Sequence, residues 1–298
     1  MAAEGDHIRR YNYTGRDGEV PDDVTHVTID ESVRVILANV FQFHPNIVEV
    51  IGPNVETVGR GAFYKCPSLR RVIMLGVEVV EKEAFMNCPA LTDVECGKLE
   101  IIKYGTFGDC ESLRSINLLS TKIVEECAFA DTGLTEATFG SKLETIEEGA
   151  FYSCPALERI TIPLKDGLFT HDNTFQGCEN LKHVDLVEGP IHETIAALQL
   201  EEWRNDMNEE IDSINQILPD TDAGSRWNDD YHDDDVGEKA QAIRTWIRSV
   251  LRKIIQYKAE HQRLLNDEVA TSLQLALPQD IVKNTVLPFL ELPSYTFE

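Results

Sequence analysis

From about residue 30 to residue 187 the apolar positions recur with a fixed period. Phe41, Phe63, Phe85, Phe107, Phe129, Phe151 and Phe175 are separated by 22, 22, 22, 22, 22 and 24 residues. Three residues after each comes Cys66, Cys88, Cys110, Cys154 or Cys178, with His44 and Thr132 standing in for the cysteine. Three further on comes Ile47, Leu69, Leu91, Leu113, Leu157 or Leu181; in the fifth unit this aliphatic, Leu134, arrives one residue early. Five residues before each of the first six phenylalanines lies Ile36, Val58, Val80, Ile102, Val124 or Ile146.

A unit of this size cannot bury its apolar side alone. Stacked copies bury a continuous column at each repeated position, so the pattern predicts a solenoid. The segment L-x-x-V-x-L alternates at its end, as in Leu113, Ile116, Leu118 and in Leu157, Ile160, Ile162. It reads as a strand that pairs with its copies in a parallel sheet. The Ala-Phe-x-x-Cys part reads as a short helical turn whose Phe plugs the interior.

Gly61-Ala62-Phe63-Tyr64-Lys65-Cys66-Pro67-Ser68-Leu69 and Gly149-Ala150-Phe151-Tyr152-Ser153-Cys154-Pro155-Ala156-Leu157 resemble the BspA-type leucine-rich repeat, a parallel-stranded solenoid. The resemblance implies that fold, of class α/β here, and a binding role. It transfers no catalytic residue, because the family motif contains none. His44, Thr132 and two extra residues near Asp166-Gly167 depart from the pattern.

The repeats sort the cysteines. Five occupy one interior column and read as small buried apolar filler rather than as metal or redox groups. Cys96 sits at an inward strand position. Cys127 falls in a column of Asn39, Gly61, Glu83, Gly105, Gly149 and Asn173, which are surface or turn types. It is therefore expected to be the most accessible thiol.

Strand residues that alternate with inward ones face outward. One outward column reads Glu49, Arg71, Asp93, Ser115, Glu136, Arg159, His183; the next reads Ile51, Ile73, Glu95, Asn117, Thr138, Thr161, Asp185. The mixture of residue types suits a protein-binding face formed by Arg71, Ile73, Asp93, Glu95, Asn117, Thr138, Arg159 and Asp185. A solvated face without a partner is the plainer alternative.

After Gly189-Pro190 the period disappears. Apolar residues then recur at helical spacing, first through Ile195, Leu198, Met207, Ile211, Ile214 and Leu218. They do so again through Ile243, Trp246, Ile247, Val250, Leu251, Ile254, Ile255, Lys258, His261, Leu264 and Leu265. Ile191 to Leu218 holds seven acids and one base; Lys239 to Arg263 holds seven bases and one acid. The two read as an antiparallel helical hairpin matched in charge as well as in apolar face. A basic amphipathic helix also suits a membrane surface or calmodulin. The expected organisation is an N-terminal cap at 1–29, a solenoid at 30–189, a helical hairpin at 190–277 with an acidic loop at 219–237, and an extended apolar tail at 278–298. The acidic loop lacks the ligand spacing of an EF-hand and reads as solvated rather than as a calcium site. The tail is apolar and punctuated by proline, and either docks internally or is read by a partner. With Glu201-Glu202-Trp203-Arg204, Trp246-Ile247 and Tyr257-Lys258-Ala259-Glu260-His261, it looks like the helical extension of a diatom multigene set of BspA-like proteins.

Charge narrows the function classes. Across 298 residues, 27 Lys and Arg stand against 52 Asp and Glu, for a net charge of −25. Phosphate contacts need the opposite balance, which argues against nucleic acid and anionic membrane as partners. Hydrophobic residues make up 42%, too many for wholesale disorder. No secretory leader or membrane-length apolar run is read, so the expected location is cytoplasmic. No nucleophile elbow, P-loop, zincin or dinucleotide motif occurs. The expectation is a non-enzymatic scaffold that binds another protein of unspecified identity, with no catalytic, cofactor or metal site. The runner-up is a structural subunit of an assembly, oligomerising through the C-terminal helices.

Overall fold

The structure, a computed structural model, describes residues 8–16, 18–187, 193, 195–198, 200–219 and 238–264. Its solenoid carries two parallel ladders. The first is built from β1 (Arg10–Tyr13), β2 (His26–Ile29), β4 (Glu49–Ile51), β6 (Arg71–Ile73) and β8 (Asp93–Glu95), then resumes as β11 (Glu136–Thr138), β13 (Arg159–Ile162) and β14 (His183–Leu186). The second is continuous through the two-residue strands β3 (Val35–Ile36), β5 (Thr57–Val58), β7 (Val79–Val80), β9 (Ile101–Ile102), β10 (Ile123–Val124) and β12 (Thr145–Ile146). The first ladder is the expected sheet. It begins earlier than the repeat, since β1 and β2 pair in register within the segment expected to cap the solenoid. The second ladder holds the V-x-x-I part of each unit, whose Ile36, Val58, Val80, Ile102, Val124 and Ile146 are fully buried.

Between the ladders run the phenylalanines. From Phe41 to Phe151 every ring is fully buried and the successive ring centroids lie 5.0 to 5.5 Å apart, with interplanar angles of 11° or less. Phe175 continues the stack at 5.7 Å. Tyr13 closes the N-terminal end edge-on to Phe41 at 5.3 Å.

The expected helical turn is present in the seventh unit alone, as a 3-10 helix over Asp172–Phe175. In the preceding units the turn holds two left-handed residues instead: Gly61 and Lys65, Glu83 and Asn87, Gly105 and Asp109, Cys127 and Asp131, Gly149 and Ser153. Stacking imposes this conformation. Gly61, Phe63 and Lys65 donate backbone hydrogen bonds to the carbonyls of Lys82, Ala84 and Met86 in the next unit, at 2.8 to 3.0 Å. A turn of another shape would break these bonds, whatever its side chain prefers. Cys127 therefore carries a φ of 54°, a conformation costing an ordinary L-residue roughly 1–2 kcal/mol. Cys127→Gly should raise the urea midpoint by the equivalent of about 1 kcal/mol, after the extra chain entropy of glycine is subtracted. A lowered midpoint would contradict the strain argument. The same variant should lose the fastest-labelling thiol, since Cys127 is half-buried and the other six cysteines are buried.

The buried cysteine column does more than fill space. Each thiol donates to the carbonyl of the preceding unit's phenylalanine: Cys66 to Phe41, Cys88 to Phe63, Cys110 to Phe85, Cys154 to Phe129 and Cys178 to Phe151, at 2.9 to 3.2 Å. A thiol is small enough for the column and still supplies a weak donor to a buried acceptor. Burial pushes the Cys66 and Cys110 thiols up to about 12, so they remain protonated donors. His44 heads this column, with its ring edge-on to Phe41 and its pKa lowered by burial.

The tail helices are α1 (Glu201–Asp212), α2 (Ile214–Ile217) and α3 (Glu238–Leu264). They cover the open C-terminal end of the solenoid, and their apolar faces are continuous with its core. Ile195, Leu198, Met207, Ile214, Ile243, Trp246, Ile247, Val250 and Ile254 are all buried. Ile255, expected in the same stripe, is 56% exposed. Between α1 and α3, Trp246 donates its indole N–H to the Glu210 carbonyl at 2.8 Å, and Trp203 stacks on Tyr257. Lys253 Nζ reaches Asp206 at 3.1 Å and Glu210 at 2.8 Å. Those contacts match the charge pairing read from the sequence, but they use only part of the basic helix. Arg244 pairs with Asp172, Arg248 with Asp166 at 3.1 Å, and buried Lys239 donates to the carbonyls of Glu179 and Leu181. The basic side chains thus serve the last turn of the solenoid as well as the acidic helix. Residues 220–237 of the acidic loop, the continuation of the helical run beyond Leu264 and the apolar tail at 278–298 lie outside the described residues.

Candidate protein-binding face

The outward columns of the first ladder lie in the register expected of them. Glu49, Arg71 and Asp93 are neighbours across β4, β6 and β8, as are Ile51, Ile73 and Glu95. On β11, β13 and β14, Glu136, Arg159 and His183 form one row, and Thr138, Thr161 and Asp185 the next. Arg71, Asp93, Glu95, Asn117, Thr138 and Arg159 are exposed, and Ile73 and Asp185 are half-buried. The structure therefore brings the eight candidate residues onto one face, in two groups.

Each group carries a paired arginine. Arg71 meets Glu95 at 2.9 Å and Glu49 at 3.7 Å, and the Glu95 hydrogen bond raises its already high pKa. Arg159 pairs with Asp185. These pairs are solvent-accessible and add little stability. They do fix the direction of the guanidinium groups, and they leave the acids Asp93 and Glu136 outside any ion pair among the described residues.

The groups are separated by a break that the repeat pattern did not announce as such. Among the described residues no backbone hydrogen bond joins residues 92–96 to 114–118, and the segment holding Ser115 and Asn117 forms no strand. That segment follows the fifth unit instead. Thr135 donates to the Arg114 carbonyl at 3.2 Å, and Leu118 bridges Phe139. The cause lies where Leu134 comes one residue early. There the Arg114 guanidinium donates to the carbonyls of Gly133 at 2.8 Å and Glu111 at 3.3 Å. A Cβ on Gly133 would fall 2.3 Å from the Glu111 carbonyl oxygen, so the shortened turn admits only glycine. The short turn holds the fourth unit's strand segment towards the fifth unit and away from β8.

The result is a shallow cleft of about 350 Å³ between β8 and residues 115–117. Asp93, Glu95, Ser115 and Asn117 form its rim. Val94 and Ile116 form its floor, and Ile116 is only half-buried where its counterparts Val72 and Ile160 are fully buried. Among the described residues no group of three or more His, Cys, Asp or Glu is arranged to hold a metal ion. No helix among them is long and apolar enough to cross a membrane.

No curated protein matches the chain. Among solved structures, it is similar to a leucine-rich repeat protein of T. pallidum, at 20% identity and a TM-score of 0.40, covering 59% of this chain and 73% of that one. A leucine-rich cell surface protein of Faecalibacterium prausnitzii matches at 19% identity and a TM-score of 0.28, over 56% of this chain and 61% of that one. The pneumococcal vaccine antigen PcpA matches at 16% identity and a TM-score of 0.35, over 60% and 66%. The chain thus spans less than two thirds of the latter two. The description "BspA type Leucine rich repeat region" matches in six copies over residues 21–131 and 100–197, more than half of the chain. Its parallel ladders, stacked phenylalanines and 22-residue period are those of a repeat solenoid, and the chain belongs to the BspA-type leucine-rich repeat family.

Proposed function

We propose that the protein is a non-enzymatic scaffold that binds another protein through the outward face of the first ladder. The observation that supports this reading is the face itself. All of its residues but Asn117 stand in register on strands whose inward side is locked by the core, which gives a preorganised surface. Solenoids commonly bind through extended surfaces of this kind. The chemical mixture along each row suits one specific partner better than a repetitive polymer. The likeness of the helical extension to that of the diatom set belongs to the same proposal.

Reversing Arg71 and Arg159 to glutamate tests the reading. Each reversal replaces an ion pair by carboxylates in close apposition on an exposed face, so the fold should survive. Partners captured by proximity labelling in the source cell should fall by about tenfold, the effect of losing charge-assisted contacts worth about 1.5–3 kcal/mol. An unchanged partner set would remove the face from consideration. The assembly reading, with the helices as an oligomerising device, fits less well, because α1 and α3 use most of their apolar surface on the solenoid and on each other.

A further inference from the structure

The cleft between β8 and residues 115–117 has a chemistry of its own. Its rim is acidic and polar, with Asp93 and Glu95 on one side and Ser115 and Asn117 on the other. Asp93 accepts the Thr92 hydroxyl at 2.8 Å and forms no ion pair among the described residues. Glu95 has one oxygen on Arg71. The floor is apolar, where Val94 and Ile116 line an opening in the core column. The walls are two backbone edges with no hydrogen bonds to each other. Such edges present carbonyls and amides that a bound group can satisfy.

We propose that this cleft docks an arginine side chain protruding from the protein partner. An arginine has a methylene stem that can cover Val94 and Ile116, and a charged head that remains at the rim. Its planar guanidinium carries five donors, which suits a slot bounded by carboxylates and free carbonyls. Charge complementarity points the same way, because both arginines of the face are already paired and the nearest uncommitted charge is Asp93. An acidic or purely apolar side chain would leave that carboxylate facing a like charge or an unsolvated surface. The proposal rests on the reading of this face as a protein-binding surface and names the chemistry at its centre.

The probe is N-acetyl-arginine amide, titrated into the isotopically labelled full-length chain and followed by amide chemical shifts. Saturable shifts are expected at residues 92–95 and 115–117, with N-acetyl-lysine amide weaker. Asp93→Asn should weaken the arginine probe by about tenfold, as expected for a lost charge-assisted hydrogen bond. Glu147→Gln, on a distant part of the solenoid, controls for general attraction of cations to an acidic chain and should change nothing. Ser115→Arg, which places the chain's own guanidinium in the slot, should abolish the shifts. Absence of shifts at the cleft, equal effects of Asp93→Asn and Glu147→Gln, or binding undisturbed by Ser115→Arg would each overturn the proposal. The titration needs no partner, so its outcome is separable from that of the partner capture. Loss of cleft binding beside intact capture sinks the cleft alone. Cleft binding beside capture unaffected by the Arg71 and Arg159 reversals supports the cleft's guanidinium preference and removes only the wider face.

Discussion

Phe107→Ala should destabilise the solenoid by about 3–5 kcal/mol, the usual cost of removing a fully buried ring from a packed core. The ring has no exposed surface and lies between Phe85 at 5.5 Å and Phe129 at 5.4 Å. Its loss opens a cavity that two neighbouring units share. Neither unit can collapse into it, because the backbone bonds from Phe85 to Thr106 and from Phe107 to Ala128 fix their spacing. In a solenoid, stability is close to a sum of unit and interface contributions, so a central ring disturbs two interfaces at once. Phe107→Leu should recover much of the loss. Chemical denaturation followed by circular dichroism measures both. A midpoint for Phe107→Ala within experimental error of the parent would refute the stack as the main support of the core.

The second large effect is expected at the other end of the molecule. Trp246→Ala should cost about 3–5 kcal/mol for the buried ring; the indole hydrogen bond to the Glu210 carbonyl goes with it, although that carbonyl keeps the Ser213 hydroxyl as a donor. Trp246 is 2% exposed, and its indole N–H fastens α3 to α1. Loosening this junction uncovers the last turn of the solenoid, where Lys239 and Asn215 hydrogen-bond the carbonyls of Glu179 and Leu181 and the Val184 amide. Amide hydrogen exchange should therefore accelerate in β13 and β14 while β4 to β8 remain protected. The exposed edge of β14 would also promote self-association. Uniform acceleration along the whole solenoid would show instead that the chain unfolds as one unit.

How much of this was legible in the sequence depends on which residues carried a period. The alternation at Ile160, Thr161 and Ile162 fixed both the ladder and the side of the sheet each residue occupies, because a one-residue slip would reverse every side chain. The second ladder left no such signature, since strands like Thr57–Val58 are too short to alternate. The turn shape was half visible. Gly61, Gly105 and Gly149 mark the left-handed position, but Glu83 and Cys127 take it only because their neighbours' hydrogen bonds require it. β1 and β2 were hidden because the segment before the first unit lacks the phenylalanine and cysteine that announce the repeats. The helices were read correctly as amphipathic, but helical spacing reveals an apolar face without saying what covers it. Much of the cover here is the end of the solenoid. The cleft had a trace in the early arrival of Leu134. Its consequence required knowing that Arg114 grips the shortened turn at Gly133.

The thiol-to-carbonyl contact has a further consequence for how such a chain lengthens. Each cysteine-bearing unit brings its own donor for the unit before it and carries a phenylalanine carbonyl of its own. A tandem duplication of 22 residues between Phe63 and Phe107 would therefore arrive with both halves of its joints already in place. Neither Tyr13 at one end nor the helices at the other would need to change. Growth by copying is thus chemically neutral along the middle of the molecule, and the two terminal closures are the parts that a duplication event cannot supply.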